Sequence, residues 1–515
     1  MKRKVLLICC VFICFVLGDS SAWSSPVNEN SAQAAQSEKP DVDDLRPLSS
    51  DTVEVCRQVT IGGQSIAYEA QSERMPLFDD EGRLVAWVFY VAYTRLNQGS
   101  VHRPVAFVFN GGPGASSLFL HMGALGPMCV KTLPDGIGLP KPPYLVEENP
   151  DSLLDQADLV FIDPVGTGFS RAEDHEKGPR FWGVEEDAEW VSQFLRMYLT
   201  REKRWGVPVY LIGESYGGMR ATEMAPILME KGIMPSGLVL ISPAVSYGEL
   251  ICDDSNSRPF IHTLPVMAAA AWYHGRLSDD LQGMPLDRLL TEVHSWANGP
   301  YLSALWAGNG LSQDEFDAVV TRLARYTAMP ESLIRRCNLK IPSNEFVAEL
   351  LLDRKEYLSQ YDVRVTSPGG WGNYEKDPMF TLTGAPYYTA FMAYLQEYLQ
   401  FDTDQEYRTF SKAARRDWDF ESGQQKEVGY PNTVSSLAQA MRRNEHFRVF
   451  VAMGVYDMVC CPDSVLYSLG RLDVPRERLL RNITVRSYDG GHMMYTNPKA
   501  RSALKADLSR FLQEK

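Results

Sequence analysis

Neither C-x-x-C nor H-E-x-x-H occurs anywhere in the 515 residues, so the two commonest zinc-site spacings are missing and metal catalysis has no support in the chain. Positive charge is also in short supply: 51 Lys and Arg stand against 65 Asp and Glu, a formal net charge of −14. No basic stripe interleaved with aromatics offsets that charge. A phosphate backbone would be repelled, which excludes nucleic acid as a partner. Long apolar runs are missing as well. The longest, Val5 to Leu17, falls short of the roughly 20 apolar residues a spanning helix needs.

That short run has a different meaning. It follows Lys2, Arg3 and Lys4 and leads into small residues ending at Ala22, the layout of a secretory signal. Residues 1–22 are therefore expected to be removed, leaving no membrane span in an exported protein, periplasmic or extracellular. Residues 23–50 are rich in Ser, Ala, Asn, Gln, Glu and Pro and cannot bury enough surface to offset chain entropy. They are expected to form a flexible leader. Of nine cysteines, Cys9, Cys10 and Cys14 leave with the signal, and Cys56, Cys129, Cys252, Cys337, Cys460 and Cys461 remain. An even set bound for an oxidising compartment favours some pairing, with Cys252 to Cys337 preferred because both fall in one inserted segment.

What is present is an ordinary globular composition, 45% hydrophobic and 23% charged, in a chain too long for one simple core. "TVEVCRQVTIGGQSIAYEAQSERMPL" reads as a hairpin turning at Gly62-Gly63. "PVAFVFN", "DLVFIDPVG", "VPVYLIGES" and "GLVLISPA" read as buried strands, with amphipathic helices between the later ones. That alternation predicts an α/β fold with a mostly parallel central sheet flanked by helices. From Gly248 to Tyr394 the pattern turns almost wholly helical, with a capping box at Ser312 to Glu315. Strand signals return at "FRVFVAMG" and "NITVRSYDGG". The expected organisation is a core of residues 51–247 and 395–515, interrupted by a helical cap at 248–394.

"YLIGESYGG" places Ser215 in G-x-S-x-G between an apolar strand and a helix, where a sharp turn lifts a hydroxyl clear of the sheet. A serine hydroxyl is a weak nucleophile at neutral pH and needs an imidazole and an orienting acid. In such a fold these follow the serine in the order acid, then histidine, in loops after later strands. Of eight histidines, His102, His121 and His175 precede Ser215. His262, His274 and His294 fall in the helical block, and His446 precedes the strand it would have to follow. His492, in "DGGHMMY", remains. Asp457 lies just past "FRVFVAMG"; Asp463 is the runner-up, and Asp489 stands too near His492 in sequence. The Tyr216 amide is the first expected oxyanion donor, and a second is expected from "FNGGPGASS" at an earlier strand end.

"NGGPGASS", "DPVGTGFS", "GESYGG", the Asp457 loop and "GGHM" together resemble the serine carboxypeptidases, an α/β-hydrolase family. The resemblance covers roughly Thr52 to Tyr247 and Phe447 to the C-terminus. It implies Ser215, Asp457 and His492 as a triad and the backbone of Gly112 and Tyr216 as oxyanion hole. Asn110, the Gly111 amide and Glu214 would hold the free carboxylate of a peptide or protein C-terminus, with no cofactor. Glu214 would bind that carboxylate only while protonated, because two carboxylates a hydrogen bond apart do not both stay ionised. Three positions depart from the family. Val108 stands where a tryptophan is usual, Ala115 where a cysteine is, and Gly454-Val455 where Gly-Asp is. Losing an indole donor weakens carboxylate recognition by about 1 kcal/mol if nothing replaces it. The expected activity is a secreted carboxypeptidase working through an acyl-enzyme. The alternatives are an esterase or acyltransferase on the same scaffold and a catalytically silent binding protein.

Overall fold

The computed structural model describes residues 52–96, 103–138, 140–253, 255–369, 377–421 and 429–513. The expected signal and leader, residues 1–22 and 23–50, lie outside the described residues. Among those described, no helix is long and apolar enough to cross a membrane.

One large sheet organises the molecule. From edge to edge its strands run Thr52–Ile61, Gln64–Phe78, Leu84–Arg95, Asp158–Ile162, Val105–Phe109, Val209–Glu214, Gly237–Ile241, Arg448–Gly454 and Ile483–Tyr488. The first three pair antiparallel with their neighbours, and from Asp158–Ile162 onward every pairing is parallel. The hairpin at Gly62-Gly63 forms as the two-glycine turn requires, with Ile61 opposite Gln64. The central strands are buried along their whole length, which is why they read as continuous apolar runs rather than alternating ones. One large apolar cluster packs on each face, with helices Val184–Arg201 and Tyr216–Glu230 on one side and Pro378–Ala393 and Pro498–Gln513 on the other.

Chain order places the site. After Val105–Phe109 the chain moves to one side to make Asp158–Ile162, then returns past the first strand to make Val209–Glu214. This reversal opens a crevice at the carboxyl ends of the strands, where parallel-sheet proteins bind ligands. Asn110 and Ser215 follow the two strands that border it.

A third apolar cluster draws on Phe260 to Val363 and takes in Tyr456, Met458 and Cys461 from the loop after strand Arg448–Gly454. The capping box forms, with the Ser312 side chain taking the Glu315 amide and Glu315 taking the Ser312 amide. The stretch is less helical than its sequence suggests. Helix Ser343–Glu349 stops early, and Glu356–Leu358 pairs with Thr366–Pro368 as a short hairpin. Polar and turn-forming residues between those strands break the helical period, and the hairpin is held instead by contacts to the sheet's loops. Helix Pro378–Ala393 packs with the main sheet, not with the third cluster.

All six cysteines among the described residues are free, so the expected Cys252–Cys337 bond is not formed. Sharing one inserted segment does not bring two Cβ atoms to bonding distance and direction. Cys460 and Cys461 are instead core residues behind the Asp457 loop.

Candidate active site

Ser215 sits at φ 58°, ψ −126°, a conformation that costs energy for any residue with a side chain. The surroundings enforce it. The Ser215 amide donates to the Ile241 carbonyl at 3.0 Å, and the Ser215 carbonyl accepts from Gly218 and Ala244 at 2.8 and 3.0 Å. From Val209 to Pro226 every residue is buried except Ser215, so strand and helix present one hydroxyl to solvent. Glycine is required on both sides: a Cβ at Gly213 would lie 2.1 Å from the Gly217 carbonyl oxygen, and one at Gly111 would lie 2.4 Å from the Tyr216 amide nitrogen. The latter contact brings the Asn110–Gly112 loop against the first amides of helix Tyr216–Glu230.

Asp457 and His492 meet at adjacent strand ends. His492 Nδ1 lies 2.8 Å from Asp457 Oδ2, with both residues buried. Asp457 Oδ1 accepts the amides of Val459 and Cys460, each at 2.9 Å, so the carboxylate is aimed before the histidine arrives. With Nδ1 engaged, Nε2 is the nitrogen left for a hydroxyl proton. Burial alone would push the imidazole down, but the charge and hydrogen bond of Asp457, helped by Glu214 and Asp377, outweigh it and hold His492 above its ordinary value. The Ser215 hydroxyl lies near the Cys460 thiol, whose own amide is on Asp457, so the serine stands beside the same cluster. The His492 carbonyl takes the Ser242 hydroxyl at 2.8 Å, beside the strand end that anchors Ser215. Asp463 turns away to pair with His294 Nδ1 at 3.0 Å, and Asp489 pairs with Arg364 at 3.0 Å.

Behind the serine, Asn110, Glu214 and Tyr495 form a buried polar group. The Asn110 side chain accepts the Leu120 amide through Oδ1 and donates through Nδ2 to Glu214 Oε2. The Tyr495 hydroxyl donates to both Glu214 oxygens, at 3.1 and 2.9 Å. Burial raises Glu214 to about 7 in spite of the His492 charge and these two donors, which pull it down. The carboxyl thus changes protonation state near neutrality.

Sequence reasoning missed Tyr495 and the hairpin residues Tyr361, Asp362 and Arg364. The Tyr361 carbonyl accepts the His492 amide at 2.6 Å, and its ring stands edge-on to the imidazole with centroids 5.1 Å apart. Asp362 Oδ2 accepts the Gly491 amide at 2.9 Å and is gripped by Arg364 at 2.7 Å. Tyr495 was findable as a tyrosine three residues past His492. The hairpin carries no motif and lies more than a hundred residues upstream.

A serine on a strained strand-to-helix turn, above a parallel sheet and beside a buried histidine–carboxylate pair, defines a protein of the α/β-hydrolase class. Comparison with known proteins narrows this. Residues 82–241 match the family described as serine carboxypeptidase. The chain is 30% identical over 166 residues to Serine carboxypeptidase-like 36 of Arabidopsis thaliana, covering 31% of this chain and 32% of that one. It is 27% identical over 196 residues to the Lysosomal protective protein of Mus musculus, covering 38% and 36%. By these matches about a third of the chain is similar to the serine carboxypeptidases, and the matched part spans about a third of the length of those relatives. Among solved structures, the proline iminopeptidase of Mycobacterium smegmatis aligns over 86% of this chain and 97% of its own, at 13% identity and a TM-score of 0.35, too loose a likeness to bear on activity.

Proposed function

We propose that the protein is an exported serine carboxypeptidase that releases C-terminal residues through an acyl-enzyme. The observation that carries this reading is the buried His492–Asp457 pair next to an accessible Ser215 on a strained turn. In this reading His492 Nε2 takes the Ser215 proton as the hydroxyl oxygen attacks the scissile carbonyl, and Asp457 stabilises the imidazolium that forms. The amides of Gly112 and Tyr216 receive the negative charge on the carbonyl oxygen. The proton passes to the leaving amine, and water, activated by the same imidazole, releases the acyl group.

Selectivity for a chain end belongs to Asn110, Gly111 and Glu214. Glu214 with its proton donates to the substrate carboxylate; without it the two repel. Since burial raises Glu214 to about 7, peptide binding should be tight in mild acid and weaken as pH rises through neutrality. Residues 248–394 act in this proposal as the cap over the crevice; the apolar cluster drawn from Phe260 to Val363 supports that division, whereas helix Pro378–Ala393, which packs on the main sheet, does not. An esterase or acyltransferase is the second reading, favoured by Val108, which offers no side-chain donor where the related family has one.

The decisive experiment pairs two measurements. A fluorophosphonate should label the wild type covalently and leave Ser215→Ala unlabelled. Mass spectrometry of a peptide library should show loss of single C-terminal residues, abolished by C-terminal amidation. Labelling without trimming would move the assignment to the esterase reading, and no labelling would leave a binding protein.

A further inference from the structure

The phenol of Tyr495 is fully buried and donates to the one carboxyl that the proposed pocket needs in its protonated form. We propose that Tyr495 is a positioning residue of that pocket, whose hydroxyl sets the pH at which Glu214 gains and loses its proton. The consequence for peptides rests on the reading of Glu214 given above, whereas the effect on the carboxyl itself does not.

Geometry carries the assignment. Glu214 Oε2 has the Asn110 amide on one side and the Tyr495 hydroxyl on another, and Oε1 has Tyr495 alone. Strand Val105–Phe109 places Val108 in the same buried apolar cluster as Tyr495, and its side chain offers no donor. The donor comes instead from the 3₁₀ turn Met494–Thr496, immediately after His492. A hydroxyl on a carboxylate is a charge-assisted bond, about twice as strong as the neutral one it makes to a carboxylic acid. Tyr495 therefore favours the ionised form and opposes the burial that favours the neutral one.

Other groups also act on this carboxyl. From the 489–497 segment His492 stabilises the anion, and from the 454–461 loop Asp457 opposes it while the Cys460 thiol lies nearby. From helix Pro378–Ala393 the Tyr387 phenol comes near Glu214, but its hydroxyl makes no hydrogen bond among the described residues. Tyr495 and Tyr387 are thus two buried phenols beside one carboxyl, of which only Tyr495 is bonded to it.

Difference infrared spectroscopy of the full chain, following the carboxylic C=O band that Glu214→Gln removes, reads the titration directly. Tyr495→Phe should move the midpoint upward by about one pH unit, a tenfold gain in proton affinity. Tyr387→Phe should leave it in place. Site-specific incorporation of 3,5-difluorotyrosine at position 495, a stronger donor of nearly the same shape, should move it downward and keeps the test open if the phenylalanine variant does not fold. An unmoved midpoint in the folded variants, or one that moves as much in Tyr387→Phe, overturns the proposal. The pH dependence of KM for a peptide with a free C-terminus separates the two claims: a midpoint that shifts in the infrared but not in KM keeps Tyr495 and rejects Glu214 as the carboxylate binder.

Discussion

Gly111 illustrates how little room surrounds the Ser215 turn. Any side chain there would drive its Cβ to 2.4 Å from the Tyr216 nitrogen and 2.6 Å from the Glu214 carbonyl oxygen, both backbone atoms that cannot swing aside. Gly111→Ala is therefore expected to displace the first amides of the helix after Ser215 and to cut fluorophosphonate labelling by a hundredfold or so, the order of loss when an oxyanion donor goes. Labelling rates checked against circular dichroism would separate this from unfolding. Glu214→Gln is the complementary substitution. A neutral amide donates at every pH, so the KM of a free-ended peptide should lose its rise between about pH 6 and 8 and stay near the acid value. A wild-type KM flat over that range would remove Glu214 from the pocket.

Two short segments show how context changes what a stretch of chain does. The 356–368 hairpin reaches from the inserted block to the His492 loop, placing the Tyr361 carbonyl on the His492 amide and Asp362 on the Gly491 amide. Arg364 holds Asp362 through both carboxylate oxygens, which pre-sets the acceptor. If His492 acts as proposed, Asp362→Asn should let the loop drift and lower kcat tenfold to a hundredfold with a smaller change in KM, since sub-ångström misplacement of the imidazole is costly. Equal kcat would show that the hairpin only packs. Strand Ile483–Tyr488 provides the other case. Asn482-Ile483-Thr484 matches a glycosylation acceptor, but the Asn482 amide is buried and donates to the Glu445 and Phe447 carbonyls at 2.6 and 3.0 Å. Folded protein from a glycosylating host is expected to show no mass change on endoglycosidase treatment.

Buried titratable groups tilt the stability of the entire protein toward acid. Burial raises Asp163 and Glu214 to about 7, and raises Asp187, Glu223 and Asp377 as well. A carboxyl raised on folding contributes stability that is complete below its unfolded value near 4 and is lost as pH climbs through the folded value. His121 works against this: burial lowers it to about 3, so its contribution is complete above 6.5 and fades as pH falls below that. Between about pH 5 and 7 the raised carboxyls outnumber the two imidazoles that burial lowers, His121 and His274. The thermal midpoint should be higher at pH 5 than at pH 8, and calorimetry at the two values checks the sign; a higher midpoint at pH 8 would mean these carboxyls are ionised in the native state.

Local pattern was enough to read the parallel sheet, because strands buried on both faces must be apolar throughout and the helices between them must carry one apolar stripe. Pattern also singled out Ser215, since flanking glycines leave the room that so tight a strand-to-helix turn needs, and chain order nominated Asp457 and His492. What the linear chain left open was adjacency without periodicity: Tyr495 on Glu214, the hairpin on the His492 loop, and the six cysteines left unpaired. These depend on which loops meet at the sheet's rim, and a contact between residues a hundred positions apart leaves no local trace because neither partner's backbone needs the other to take its shape.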